Sequence, residues 1–433
     1  MTALQHPARP GSRPHRVPFT VVDEVTRHCL HPRVPETVHI EVHLPGRPDP
    51  ARLRAAFTEA LRRHPRILMR EAPGAWYRRR YEWELTPHPD TEVVTFPPAT
   101  PDALTRARAR ALSLAPPLSL SPPVRMEVVD RVLLLTVNHT ALDGPACLRV
   151  LATAAELYGG RDNSPATPAP RRAPAPSSPA AGDHAAAAPR TGFAPVARVA
   201  RGTPTSAAPN GMLTADLPLP TRPRDAPYTV NDQLMVATAR MIATWNREHG
   251  GPPRPMRITM PVDDRSRDAD MPIGNGTRLV EVPFSPAELA HDADVPDLLR
   301  RTALRTRTLK ALPRPQLGHG AALLTAPVLP VAVRAAFTRA LRRTAAPWTS
   351  TTLLSNIGRV PYPLDFGEGA GRATAVWFSA PARMPRGLTV TTASTAGRLH
   401  LALRWSGVLL GDADGERLLS LFTEYLDASG VTS

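Results

Sequence analysis

The stretch Arg-Val-Leu-Leu-Leu-Thr-Val-Asn-His-Thr-Ala-Leu-Asp-Gly-Pro at positions 131–145 is the most informative part of the chain. Its apolar first half predicts a buried strand, and Asp143, Gly144 and Pro145 predict a turn into a helix. His139 therefore lies at the end of this strand, where the chain enters the turn. A histidine there can act as a general base, because its unperturbed pKa of about 6.5 lets it take up and return a proton near neutral pH.

The length of the chain predicts two lobes. A single hydrophobic core stops growing at roughly 250–300 residues, and this chain has 433, of which 42% are hydrophobic. No apolar run reaches the ~18–20 residues of a membrane span, so we expect no membrane partner. The Arg- and Pro-rich N-terminus has no apolar segment before Phe19, so we expect no secretory signal and a cytoplasmic protein.

The net charge of +15 raises the question of nucleic acid. Arginines are spread along the whole chain, Lys310 is the only lysine, and aromatic residues make up only 5%. Nucleic-acid binders usually concentrate their charge in a patch with interleaved aromatics, so we expect no nucleic-acid partner. A positive surface would still suit an acidic partner or a phosphate-bearing ligand by electrostatic steering.

The two cysteines, Cys29 and Cys147, are too few for a disulfide framework or a zinc site. We expect two reduced thiols, with Cys147 facing the core. The histidines show no metal-ligand spacing, and the sequence contains no phosphate loop or dinucleotide-binding fingerprint. The prediction is therefore that the protein holds no metal.

Composition predicts the boundary between the lobes. Residues 162–190 are rich in Pro, Ala and Ser and have no apolar period, as is typical of a mobile linker. We therefore expect a first lobe at 18–161 that carries His139, a linker at 162–210 and a second lobe at 211–433.

Apolar periodicity predicts helices and strands in both lobes. In the first lobe it predicts a strand at 38–44, a hairpin at 124–137, and helices near 48–65, 102–113 and 148–158. In the second lobe it predicts strands at 212–217, 257–260, 351–355, 373–378, 388–393 and 399–405, with helices at 230–245, within 286–312 and at 412–426. The fold class is therefore mixed α/β, with two similar layers facing one another.

Six short motifs together resemble one known family. Asn138-His139-x-x-x-Asp143-Gly144 resembles the HHxxxDG motif of the condensation-domain and chloramphenicol-acetyltransferase-like acyltransferases. Five further segments resemble other parts of this family in the same order and spacing: 61–65, 117–126, 229–232, 261–265 with 274–275, and 355–358. The resemblance covers about 18–426, nearly the whole chain apart from the linker.

This resemblance implies two chloramphenicol-acetyltransferase-like lobes in a V-shaped pseudo-dimer, with a tunnel at their interface and His139 at its midpoint. It implies an acyltransferase of natural-product biosynthesis. The acyl donor would be a thioester on the phosphopantetheine arm of a carrier protein or of coenzyme A, with no permanently bound cofactor. The acceptor would be a small molecule with a hydroxyl or an amine, and the product an ester or an amide.

The resemblance also implies roles for individual residues. His139 would be the general base, and Asp143 would pair with an arginine that holds the loop, for which Arg265 is the candidate. Gly144 would permit a tight backbone turn. Ser355 and Asn356 would contact the substrate or the developing oxyanion.

The chain departs from the motif at Asn138, where the family usually has its first histidine. Asn138 is therefore an additional candidate for contact with the substrate or the oxyanion. The departure leaves two alternatives open. One is a condensation-like protein that cyclises or isomerises a polyketide or peptide intermediate, and the other is a non-catalytic module on which a carrier protein docks.

Overall fold

The computed structural model describes residues 15–31, 34–161, 194–205, 208–267, 270–312, 316–317 and 320–430. In chain order, the helices are α1 (Val21–His28), α2 (Pro50–Arg63), α3 (Ala103–Ser113), α4 (Gly144–Tyr158), α5 (Val230–Glu248), α6 (Val295–Ala311), α7 (Ala321–Thr325), α8 (Val331–Thr344) and α9 (Asp412–Asp427). The strands are β1 (Arg16–Pro18), β2 (Thr37–His43), β3 (Met69–Glu71), β4 (Glu82–Leu85), β5 (Val94–Thr95), β6 (Val124–Val129), β7 (Val132–Asn138), β8 (Asn210–Pro218), β9 (Met256–Val262), β10 (Arg278–Phe284), β11 (Thr352–Arg359), β12 (Ala375–Ser379), β13 (Leu388–Thr395) and β14 (Arg398–Ser406).

The first lobe is built on a sheet of order β12-β2-β7-β6-β5. Its neighbouring strands run antiparallel, except that β5 and β6 are parallel. Helices α2 and α4 pack against each other, and α3 packs against β2, β6 and β7. Ile40, Phe57 and Leu135 lie in the resulting core. A small sheet of order β1-β4-β3 accompanies this lobe.

Helix α2 shows how local sequence builds this lobe. Asp49 caps its N-terminus by accepting a hydrogen bond from the backbone N–H of Arg52, and Pro50 fits the first turn because that turn needs no N–H there. Leu53, Phe57 and Leu61 recur at helical spacing and are fully buried. Burial of each such side chain contributes roughly 2 kcal/mol. The predicted helix at this position is confirmed.

The second lobe is built on a sheet of order β10-β9-β11-β13-β14-β8. Strand β11 runs parallel to both β9 and β13, and the other pairs are antiparallel. Helices α5 and α9 pack together, and α6 packs against α5. Trp245, Phe284 and Phe422 are among the largest buried side chains of this second core.

The division of the chain between the lobes differs from the predicted one in two places. Strand β12, which the sequence assigns to the second lobe, pairs with β2 and completes the first lobe's sheet, with Ala375 opposite His43. The physical reason is that an unpaired strand edge leaves backbone N–H and C=O groups unsatisfied. A C-terminal segment therefore crosses to the first lobe and returns.

The predicted linker at 162–210 is the second difference. Residues 162–193 lie outside the described residues, but 194–205 pack on the second lobe. Val196 and Val199 are buried, and the backbone N–H of Ala197 donates to the carbonyl of Pro255 over 2.7 Å. These few apolar side chains fix a segment whose overall composition is typical of a linker.

Helices α1 and α8 connect the lobes at another place. Arg334 of α8 donates to Glu24 of α1 through Nε, 3.0 Å from Oε1, and both side chains are buried. His28 lies beside this pair, with Nδ1 3.3 Å from Thr338 Oγ1. Burial and the neighbouring arginine charges lower the pKa of His28 to about 4.

Three findings on the described residues bear on partners and cofactors. No helix in the described ranges combines the length and apolar character needed to cross a bilayer. Within the same residues, His, Cys, Asp and Glu side chains form no group of three that could hold a metal ion. Cys29 and Cys147 are free thiols, and Cys147 is buried in the core as predicted. Burial raises the pKa of Cys147, which disfavours its thiolate.

Candidate active site

His139 lies in the loop between β7 and α4, and two groups fix the backbone there. The N–H of His139 donates to the carbonyl of Glu36 over 2.9 Å. The side-chain oxygen of Asn138 accepts a hydrogen bond from the N–H of Thr140 over 3.1 Å, while its Nδ2 donates to the carbonyl of Pro116 over 3.0 Å. Asn138 is only 4% exposed. The structure thus places Asn138 beneath the loop, with both ends of its amide engaged by backbone.

The imidazole of His139 has a defined tautomer. Its Nδ1 lies 2.9 Å from the carbonyl oxygen of Leu142. A carbonyl can only accept a hydrogen bond, so Nδ1 carries the hydrogen and, in the neutral ring, Nε2 carries the lone pair. The ring is partly exposed and lines a cavity. Nε2 has no hydrogen-bond partner among the described residues, so it is available to a ligand.

Asp143 is engaged on both of its carboxylate oxygens. Its Oδ1 accepts from the N–H of Ala146 over 3.0 Å and thereby caps α4. Its Oδ2 accepts from the N–H of Gly276 over 2.8 Å and of Thr277 over 3.2 Å. Arg265 Nη2 donates to both oxygens, at 2.9 and 2.7 Å. Asp143 therefore braces the loop against the second lobe.

All of the guanidinium nitrogens of Arg265 are used. Nε donates to Asp263 over 2.8 Å, and Nη1 donates to the carbonyls of Pro272 and Gly274, each over 3.1 Å. The planar fork of an arginine suits such a set of fixed acceptors. A Cβ built on Gly276 would lie 2.4 Å from Arg265 Nε and Cζ, so this close approach requires glycine.

Asn275, which the sequence analysis placed in a family-like motif with Gly274 but gave no role, also belongs to the site. Its Nδ2 donates to the carbonyl of Thr140 over 2.9 Å and to Asp23 Oδ1 over 2.9 Å, and lies 3.4 Å from the carbonyl of His139. Burial raises the pKa of Asp23, while hydrogen bonds from Asn275 and Trp83 oppose this. The Gly-Asn-Gly turn at 274–276 was the available signal, since an asparagine between two glycines can approach another backbone closely.

A cavity of about 380 Å³ lies between the lobes and contains His139. Its wall includes Val38, Leu148 and Phe378 from the first lobe's sheet and helices, and Leu353 and Ile357 from the second lobe. A largely apolar cavity with a few convergent polar groups is typical of a small-molecule site. The structure contains this cavity, and the continuous tunnel stays a prediction.

Ser355 and Asn356 both line the cavity but differ in their contacts. Asn356 Oδ1 accepts from the N–H of Gly358 over 2.8 Å and from Thr392 Oγ1 over 3.1 Å, so its amide is fixed. The hydroxyl of Ser355 has no hydrogen-bond partner in the described part of the chain. Gly358 adopts a φ of 72°, which favours glycine and coincides with a register shift in the pairing of β11 with β13. Of the two, Ser355 has the hydroxyl that is free to turn toward a ligand.

Gly144 is the first residue of α4, and Pro145 follows it in the first turn. Both line the cavity. A Cβ built on Gly144 would meet Phe378 at 3.9 Å, an ordinary contact. The turn into α4 is therefore made with Asp143 as the cap, and the backbone of Gly144 does not take up a left-handed conformation.

The chain is similar to known proteins in sequence and in overall fold. No protein-family model matches the chain. Two proteins of Mycobacterium tuberculosis, both named as uncharacterized and coming from strains CDC 1551 / Oshkosh and H37Rv, are each 29% identical to it over 428 residues. The matched region covers 90% of this chain and 94% of each relative.

Solved structures share the whole fold at low sequence identity. A variant of the starter condensation domain of rhizomide synthetase RzmA in complex with C8-CoA has a TM-score of 0.63 and 14% identity, over 95% of this chain and 94% of that one. The condensation domain from Monacolin K polyketide synthase MokA has a TM-score of 0.62 and 13% identity, over 96% and 97%. TRI3 trichothecene 15-O-acetyltransferase from Fusarium sporotrichioides has a TM-score of 0.61 and 12% identity, over 96% and 95%. The chain therefore has the two-lobed mixed α/β fold that condensation domains share with this acetyltransferase.

Proposed function

We propose that this protein is an acyltransferase that moves an acyl group from a thioester to a hydroxyl or an amine. The thioester would belong to coenzyme A or to the phosphopantetheine arm of a carrier protein, and His139 would be the general base. The observation that carries the proposal is the tautomer of His139, whose Nδ1–H is held by the Leu142 carbonyl while Nε2 is left free in the cavity.

The chemical step follows from that geometry. Nε2 takes the proton of the acceptor's hydroxyl or amine as the acceptor oxygen or nitrogen attacks the thioester carbonyl carbon. The tetrahedral oxyanion then collapses, the carbon–sulfur bond breaks, and Nε2–H returns the proton to the departing thiolate. No covalent acyl-enzyme is needed. Holding the two substrates together in one cavity supplies part of the rate enhancement.

The hydroxyl of Ser355 is the candidate donor to the oxyanion, because it lines the same cavity and has no protein partner among the described residues. Donors aimed at a developing oxyanion lower the barrier by about 3–4 kcal/mol. Asp143 would have no chemical role in this scheme. Its contacts with Arg265 and with the cap of α4 make it a positioning residue for the loop.

Two further observations support the proposal. Asn138 lies beneath the loop, so its presence in place of the family's first histidine leaves the groups that face the cavity unchanged. The solved structures of the same fold include an acetyltransferase and a condensation domain in complex with C8-CoA. Two of these structures are condensation domains, one from a polyketide synthase and one from rhizomide synthetase, and their origin favours a role in natural-product biosynthesis.

The test is a transfer assay in which octanoyl-CoA is offered with a panel of primary amines and alcohols. Thiol release and acylated product are measured together. We expect His139→Ala to lower kcat/KM by about 10²–10⁴-fold, the usual contribution of a general base. His88→Ala, which removes an exposed histidine outside the cavity, is the matched control and should leave kcat/KM unchanged. Wild-type turnover by the His139→Ala variant would rule out His139 as the base.

A further inference from the structure

One part of the cavity wall is strongly positive. Arg342, Arg383 and Arg386 all line the cavity. Two more arginines stand behind this wall: Arg198 donates through Nη1 to the carbonyl of Ser350 over 3.3 Å, and Arg257 donates to the carbonyl of Trp348 two residues earlier over 2.6 Å. Five guanidinium groups therefore lie at this part of the wall, those of residues 198, 257, 342, 383 and 386.

The nearby carboxylates are already paired with two of these arginines. Glu36 accepts from Arg383, and Glu281 lies 3.2 Å from Arg257. Within the part of the chain that the structure describes, Arg342 donates only to a backbone oxygen, that of Met384, over 2.9 Å. Among the described residues, these five arginines therefore outnumber the carboxylates that pair with them, and two of those without a carboxylate, Arg342 and Arg386, line the cavity.

Arg386 is the central member of this group. Its Nε donates to Ser350 Oγ over 2.7 Å and its Nη2 to Thr259 Oγ1 over 3.1 Å. No carboxylate of the described residues lies within ion-pair distance of it. Burial lowers its pKa to about 10; Glu281 opposes this, and the charges of Arg383, Arg342 and Arg198 add to it. Arg386 is still a cation at neutral pH.

An enclosed cation without a counter-ion costs free energy, and an anion from outside can offset that cost. The two hydroxyl acceptors hold the guanidinium in place before any ligand arrives, so little rotamer freedom is lost on binding. Arginine is also the side chain whose flat fork matches the oxygens of a phosphate or a carboxylate.

We infer that Arg386, with Arg342 and Arg383 beside it, binds an oxyanion, either a phosphate or a carboxylate, that belongs to one of the substrates in the cavity. The inference rests on the proposed function for its view that the cavity takes two substrates. Anion binding itself involves no chemical step, so it can be measured without turnover. The oxyanion has two possible sources: the phosphate of a pantetheine-linked donor, or a carboxylate on the other substrate.

The test is calorimetric titration of the full-length protein with inorganic phosphate and with succinate as probes. We expect at least one probe to bind, and Arg386→Gln to weaken that binding tenfold or more. Arg386→Lys keeps the charge but loses the fork, and should give a smaller loss. Arg417 lies on α9, outside the cavity, where it forms a partly exposed pair with Glu248 of α5; Arg417→Gln removes an equal charge and should bind the probe as the wild type does.

Three results would overturn the inference. They are no binding of either probe to the wild type, unchanged binding by Arg386→Gln, and equal losses in Arg386→Gln and Arg417→Gln. Urea unfolding of each variant verifies that it is folded. If Arg386→Gln does not fold, Arg342→Gln carries the test; we expect about a threefold loss from it, and unchanged binding there counts against the inference.

A second titration distinguishes the two sources. Octanoyl-CoA carries phosphates, whereas octanoyl-pantetheine carries none. A loss in Arg386→Gln that is confined to octanoyl-CoA assigns the site to the donor phosphate, and a loss confined to succinate assigns it to a carboxylate on the other substrate. His139→Ala should retain probe binding while it loses transfer. Anion binding without any transfer activity in the wild type would contradict the proposed function and leave this inference standing.

Discussion

Arg265 Nη2 lies 2.9 and 2.7 Å from the two carboxylate oxygens of Asp143, although 122 positions separate the two residues in the sequence. Asp143 belongs to the first lobe and Arg265 to the second. Both side chains are nearly inaccessible, at 3% and 11% exposure. The loop that carries His139 is therefore fixed by a contact from the opposite lobe.

We predict that Arg265→Gln lowers the free energy of unfolding by about 3 kcal/mol. Removal of one partner of a buried ion pair leaves the other charge uncompensated, which typically costs 3–5 kcal/mol. The matched control is Arg398→Gln, whose pair with Asp216 is about half exposed and should contribute less than about 1 kcal/mol. Urea unfolding of both variants is the measurement, and equal losses would contradict the prediction.

Gly276→Ala tests the same contact without removing a charge. The added methyl group would lie 2.4 Å from the guanidinium of Arg265, so either that group or the backbone must move. Overpacking of this kind typically costs 1–3 kcal/mol, and we expect about 2 kcal/mol together with a fall in kcat. Gly320→Ala, where no atom lies within 4 Å of the new methyl group, should leave both unchanged. A wild-type melting temperature and rate for Gly276→Ala would contradict the prediction.

Ser355→Ala should lower kcat by about 10²-fold with little change in stability, because the hydroxyl has no partner among the described residues and would act only on the oxyanion. Asn356→Ala should instead lower the stability and have the smaller effect on kcat. Its amide holds the N–H of Gly358 and the hydroxyl of Thr392, so the variant should lose about 1–2 kcal/mol of stability. Transfer kinetics and urea unfolding of both variants separate the two roles, and an unchanged kcat for Ser355→Ala would remove it from the mechanism.

The stability of the protein should fall as the pH is lowered from about 6.5 to about 4. Burial and the charges of Arg149 and Arg63 lower the pKa of His64 to about 4. Above its unfolded pKa of about 6.5, His64 is neutral in both states and the folded state bears no cost. Below that value the unfolded state gains a proton that the folded state resists, so stability is lost until about pH 4.

His64→Gln provides the measurement. Glutamine can keep a hydrogen bond to Thr153, which lies 2.8 Å from His64 Nε2, but it does not titrate. Urea unfolding at pH 7, 5.5 and 4.5 should show that the variant loses about 1–3 kcal/mol less than the wild type over this range. Parallel pH profiles for the two proteins would show that His64 does not contribute.

The sequence around 124–158 predicts its structure well because its signals are local. A hairpin, a capping aspartate and a helix follow one another, and each is specified by residues that are neighbours in the chain. The pairing of Asp143 with Arg265 could be anticipated only from the family resemblance, since composition offers many arginines to choose from. The elements that position His139 were thus predictable from local pattern, and the contact from the opposite lobe was not.

Among the elements that the sequence analysis did not predict, β10 and α8 escaped for identifiable physical reasons. Strand β10 contains Pro283, which argues against a strand, but β10 is the edge of its sheet, where a missing N–H is tolerated. Helix α8 has an inverted pattern: Phe337 is exposed, whereas Arg334 is buried against Glu24. Apolar periodicity does not predict a helix such as α8, because an ion pair occupies part of its buried face.

The arginine-rich wall of the cavity could not be predicted either. Arg342 comes from α8, and Arg383 and Arg386 come from the loop through which the chain returns from β12 on the first lobe to β13 on the second. No periodicity in the sequence joins these positions. Their proximity is a product of the topology and becomes visible only in three dimensions.

The crossing of β12 also joins the two lobes through the backbone. The chain leaves the second lobe after β11, pairs five residues with β2, and returns to begin β13. Separating the lobes would therefore have to break the pairing of β12 with β2 or extend the segments that join β12 to the second lobe. For the proposed function, each substrate would then have to be narrow enough to reach His139 while the lobes stay joined, so the width of a molecule would limit its access to the cavity before its chemistry does.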